Sequence, residues 1–122
     1  MSKSWLSSIV AAGAALLVGC AGEQTPVQSL EQSKAAIRAA EEVGASKIPQ
    51  AALHLQLAKE ESQRAEDLIA NGDKNRGASL LMRAEADANL AVAMSREAQE
   101  RHEAQVAADR ARDLQQHNPI NP

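Results

Sequence analysis

The chain has 122 residues, a formal net charge of -3 and 44% hydrophobic residues, yet Trp5 is its only aromatic side chain. That length allows one small domain, and with no Phe or Tyr its core must be largely alanine, which buries little area per residue. Scattered Lys and Arg without a basic stripe or stacking platform exclude nucleic-acid recognition, and the lone cysteine excludes an internal disulfide.

Residues 1–19 read as a lipoprotein signal peptide. Lys3 gives the positive start, and residues 9–18 form an apolar run of signal-peptide length, shorter than the about 20 residues a membrane-spanning helix needs. Leu17-Val18-Gly19-Cys20 resembles the bacterial lipobox. The small residue at Gly19 lets a signal peptidase approach the bond before Cys20, whose thiol accepts a diacylglyceryl group. By that resemblance the mature chain starts at Cys20 with a thioether-linked lipid and usually an acylated amine, and two or three chains anchor stably. Otherwise no cofactor is expected. Ala21 stands where, in the enteric lipoproteins that this leader resembles, an Asp would mark retention at the inner membrane. The expected location is therefore the periplasmic face of the outer membrane, with the outer leaflet of the cytoplasmic membrane as the alternative.

Residues 20–25 form a lipidated tether, and residues 26–116 an all-α domain with helices about 26–43, 49–70 and 74–116. Thr25-Pro26-Val27-Gln28 has the form of a capping box with proline in the first turn. Leu30, Ile37, Ala40 and Val43 give the first helix a narrow apolar stripe, and Gly44 closes it. Pro49 holds Ile48 extended and opens the second helix, whose inward side reads as Leu53, Leu57, Ala58, Ala65, Leu68 and Ile69. Glu60 and Arg64 have the spacing of a solvent-face pair. Asn71-Gly72-Asp73 is the clearest turn, with Asn71 or Gly72 left-handed and Asp73 capping the third helix.

The third helix carries small residues in a seven-residue alternation through Leu81, Ala84 or Glu85, Ala88, Ala91 or Val92, Ser95 and Ala98. Two short loops imply an antiparallel hairpin or three-helix arrangement with a long, partly projecting C-terminal helix. Ala84, Ala88, Ala91, Ser95 and Ala98 are the expected partner face, because the shorter helices offer that helix too little surface. The distal half either pairs in a coiled coil or stands as a single helix held by pairs such as Glu97 with Arg101. Residues 117–122, with Pro119 and Pro122, are expected to be a disordered tail.

Between about Lys34 and Ala98 the chain resembles the bacterial lipoprotein family known as domain of unknown function 4398. The resemblance rests on Ala39-Ala40-Glu41-Glu42-Val43-Gly44-Ala45, Pro49-Gln50-Ala51-Ala52-Leu53, Ala70-Asn71-Gly72-Asp73 and Ala84-Glu85-Ala86-Asp87-Ala88-Asn89-Leu90-Ala91, in that order. It implies a periplasmic helical module without an established activity. The peptidoglycan-binding domain that some relatives add is not expected here.

No catalytic constellation is legible. His54 and His102 lack carboxylates three or four residues away, and the adjacent pairs Glu41-Glu42 and Glu60-Glu61 diverge on a helix. All three histidines, His117 included, read as solvent-facing, and Met82, Met94, Leu80 and Leu81 as core. The expected role is a lipid-anchored interaction or adaptor module. It binds another envelope protein, with no metal, nucleic acid or small-molecule substrate. A self-associating structural spacer between outer membrane and cell wall is the alternative.

Overall fold

A computed structural model describes residues 25–117. The signal peptide, Leu17, Val18, Gly19 and Cys20, and the final five residues of the expected tail lie outside the described residues. Three helices follow in order, α1 (Pro26–Glu42), α2 (Pro49–Ala70) and α3 (Lys74–Gln116), so the described fold is all-α.

The helix ends follow from their capping chemistry. The Gln28 backbone N–H donates to Thr25 Oγ1 at 3.3 Å while the Thr25 N–H donates to Gln28 Oε1 at 3.2 Å, completing the reciprocal cap. At the other end of α1, Val43 is the cap and Gly44 takes φ +76°, a left-handed conformation that glycine reaches without steric cost. A single 3-10 turn, Ala45–Lys47, then fills what the sequence presents as an open break. Ile48 is extended and Pro49 opens α2. In the second turn Gly72, at φ +89°, is the left-handed residue, while Asn71 keeps a φ of -84°. The Asp73 carboxylate accepts from the Arg76 N–H at 3.3 Å and starts α3.

Successive helices run antiparallel, so α1 and α3 run in the same direction. Lys34 pairs with Glu66 near the end of α2, and Glu41 pairs with Lys59 nearer its middle. The most extensive packing joins α2 to α3, and α1 lies against both.

The core is made of small side chains. The buried apolar residues among those described are eight alanines with Leu55 and Leu81. In α3 the buried line is Gly77, Leu81, Ala84, Ala88, Ala91 and Ser95, and in α2 it is Ala51, Leu55, Ala58, Ser62 and Ala65. Both alternate steps of four and three, the spacing that keeps one seam facing a partner helix. In α1 the buried residues are Ser29, Ser33 and Ala40, with Leu30 and Ile37 only half-buried. Ser33 and Ser95 bond back to the Leu30 and Ala91 carbonyls at 2.9 and 2.7 Å, so their hydroxyls need no partner across the seam.

The inward face of α2 thus differs from the expected one. Leu53 is 58% exposed and Leu57 is exposed too, because both stand off the seam line that Ala51, Leu55 and Ala58 occupy. Met82, expected in the core, is 62% exposed for the same reason. Glu60 accepts from Gln56 at 3.0 Å, the partner it takes in place of Arg64. Among the described residues no helix is long and apolar enough to cross a membrane.

Gly77 shows how close α2 and α3 lie. A Cβ there would meet Ile69 Cγ1 at 2.5 Å and the Ala65 carbonyl oxygen at 3.1 Å. Helix propensity by itself makes Gly→Ala favourable by about 1 kcal/mol, whereas overpacking costs about 1–3 kcal/mol. Gly77→Ala is therefore expected to lower the urea midpoint, and a raised midpoint would contradict this packing.

Candidate functional site

Two features stand out from the small-residue core: the free end of α3 and a polar cluster on the α2–α3 seam. With 43 residues α3 is about 64 Å long at 1.5 Å per residue, against about 33 Å for the 22 residues of α2. The last tie between α3 and the body is Gln99, whose Nε2 donates to the Val43 carbonyl at 3.0 Å. From Glu100 to Gln116 α3 touches no other helix closely enough to bury a residue, and only Val106 is half-buried. This arm is about 25 Å long. It leaves the body at the α1 C-terminal end, opposite Thr25 and the segment that leads back to Cys20.

The expected partner face is corrected by this geometry. Ala84, Ala88, Ala91 and Ser95 are fully buried and Ala98 is half-buried, all against this chain's own helices. The seven-residue alternation is the core of the monomer and leaves no free surface there. Past Ala98 the same alternation reaches His102, Gln105, Asp109 and Arg112, which are polar and exposed. The arm is instead held by pairs within itself. Arg101 meets Glu97 at 2.6 Å, Gln105 meets Asp109 at 2.9 Å and Arg112 meets Asp109 at 2.7 Å. Such local pairs stabilise a helix by about 0.2–0.5 kcal/mol each. Ala104, Ala107, Ala111 and Leu114, the last 72% exposed, give the arm a modest apolar side.

The polar cluster corrects the solvent-facing reading of His54. Its Nδ1 lies 2.7 Å from Asp87 Oδ1, and both side chains are about three-quarters covered. One helical repeat along α2, the Glu61 Oε1 is 2.8 Å from Arg83 Nη2. Glu61 is only 7% exposed, and its Oε2 is buried without a hydrogen-bond partner. Burial pushes the Glu61 carboxyl above its usual range; Arg83 opposes the shift and the adjacent Asp87 carboxyl adds to it. His54, Glu61 and Asp87 each stand one residue before a seam position, Leu55, Ser62 and Ala88. Flanking positions of that kind meet across a helix pair, so registering the two seven-residue patterns against each other would have found them.

His102 and His117 are exposed, the latter 3.1 Å from Asp113 of its own helix. Among the described residues no group of three His, Cys, Asp or Glu side chains is placed to hold a metal ion. No protein-family model, curated protein or solved structure matches this chain.

Because the arm adds no tertiary burial, truncation after Gln99 should leave the unfolding free energy within about 0.5 kcal/mol of the full chain. Urea denaturation measures it, and a larger loss would mean the arm packs on the body.

Proposed function

We propose that this chain is a lipid-anchored envelope lipoprotein acting as a non-catalytic helical adaptor, with the α3 arm as its interaction element. Cys20 carries the diacylglycerol and N-acyl chains. The domain stands on the periplasmic face of the outer membrane. The likeness of residues 34–98 to lipoproteins of domain of unknown function 4398 agrees with this reading and rests on the sequence motifs.

The observation that carries the proposal is the polarity of the molecule. The segment leading to Cys20 enters at Thr25, whereas the arm leaves α3 beyond Gln99 at the opposite end. With a lipid at Cys20 the arm tip points away from the bilayer. Its reach is about 50 Å past the start of α1, from the rise of α1 and the arm together. The body contributes rigidity, and the exposed arm contributes contact surface. The alternative of a spacer that self-associates through the alanine alternation loses its surface, since that alternation is buried inside one copy.

Photocrosslinking in intact cells tests the assignment. A crosslinker at Ala107 or Leu114 should give partner adducts, one at Ala86, exposed on the body, should give none, and Cys20→Ser should abolish both membrane partitioning and the adducts. Adducts confined to the body, or unaltered fractionation of Cys20→Ser, would overturn it. Adducts between two copies would favour the spacer.

A further inference from the structure

We infer that the first two turns of α1, Pro26–Ser33, are a releasable strap that lengthens the leash to Cys20 while the rest of the fold stays closed. The lengthening rests on the anchor proposed above; the release itself rests on the packing of α1 alone.

Apolar packing is unevenly spread along the body. The main cluster joins Ala40, Ala45, Ala51, Leu55 and Ala91, with Ile37, Ile48, Val92 and Met94 half-buried against it. It sits at the end where the arm departs. The C-terminal half of α1 belongs to this cluster through Ile37 and Ala40. Two polar ties reinforce it there, Glu41 with Lys59 and the Val43 carbonyl with Gln99.

The first two turns have no such hold. Between Pro26 and Ser33 the buried side chains are Ser29 and Ser33, while Leu30 is half-buried and Val27 is 71% exposed. Ser33 Oγ donates at 2.9 Å to the Leu30 carbonyl of its own helix, a bond that water replaces on release. Returning serine hydroxyls to water gives up little, because hydrophobic stabilisation scales with the apolar area buried. What fastens these turns is local or exposed. The reciprocal Thr25–Gln28 cap closes one end, and Lys34 meets Glu66 at 3.0 Å with side chains 41% and 36% exposed. An ion pair so open to water is weak. Segments with few buried apolar contacts open ahead of the global transition, and this is such a segment.

The soft end is also the loaded end. A pull on Cys20 enters at Thr25, unwinds α1 from its cap and meets the apolar cluster only at Ile37. Each residue passing from helix, at about 1.5 Å, to extended chain, at about 3.4 Å, adds about 2 Å, so releasing Pro26–Ser33 lengthens the leash by about 15 Å. The cluster, the His54–Asp87 contact and the Gln99 tie are untouched, and the arm stays aimed.

Amide hydrogen exchange of the full chain in detergent, resolved by residue with NMR, tests the strap. The backbone N–H groups of Leu30–Ser33 are compared with those of Leu53–Gln56, which lie equally far from the start of α2, another helix opened by proline. That comparison cancels ordinary end fraying. Leu30–Ser33 should exchange about tenfold faster or more, at rates that low urea leaves unchanged, since local opening exposes little surface. Thr25→Ala should speed them about fivefold further and leave Leu53–Gln56 as they were. Equal exchange in the two segments, or rates that climb with urea in step with global unfolding, would overturn the strap. Cys20→Ser should preserve the contrast. If that variant also stays membrane-bound, the anchor fails and the strap stands; a lost contrast in a normally anchored chain sinks the strap alone.

Discussion

Close approach of backbones is the constraint from which the architecture follows. Where Gly77 passes Ala65 and Ile69 there is no room for even one added carbon, and further along Ala84, Ala88 and Ala91 admit only methyl groups. Helices that touch through such residues lie toward the short end of the usual range of interaxial distances, about 8–10 Å. Contact then comes from many backbone and Cβ atoms at dispersion distance, with little contribution from large side chains. The cost is area: eight alanines and two leucines expel little water, so the body has small reserves and each seam position matters.

This also explains which parts of the fold were legible in the sequence. Caps and breaks are local chemistry, and the Thr25 box, Gly44, Pro49 and Asp73 each act where their residue type says they should. Only the exchange of an expected open break for a 3-10 turn at Ala45–Lys47 escaped, because i to i+3 bonding there leaves no composition signal. Inward faces were harder. The usual guide, that the largest apolar residues point in, selects Leu53 and Leu57 in α2, and both are exposed. In a seam this narrow most positions take small side chains, with Leu55 and Leu81 as the exceptions, so the informative pattern is the four-three spacing of small residues. The same spacing is visible in α3, but nothing local says whether this chain's own helices or another chain will cover it.

The arm follows from where that pattern stops. Beyond Ala98 the seam positions become His102, Gln105, Asp109 and Arg112, so α1 and α2 have nothing further to grip. The helix nevertheless continues to Gln116, about five more turns. An isolated helix of such length is marginal in water, and the Glu97–Arg101 and Asp109–Arg112 pairs supply part of what tertiary packing gives elsewhere. Local pairing supports the arm without covering it, which leaves Ala107 and Leu114 exposed.

An alanine seam has a weakness that the polar cluster answers. Methyl groups seven residues apart are interchangeable, so α3 sliding by one repeat along α2 would bury nearly the same surface. Such a slip would bring Leu80 or Met94 opposite His54, one repeat on either side of Asp87, and so break the His54–Asp87 contact. It would also remove Gly77 from the one place where Ile69 demands a residue without Cβ. A single His–carboxylate contact and a single glycine therefore distinguish the native register from its neighbours, much as one polar core residue fixes alignment in a coiled coil. Glu61, also on this seam, is paired with Arg83 at one oxygen and has a buried second oxygen without a donor, which costs stability.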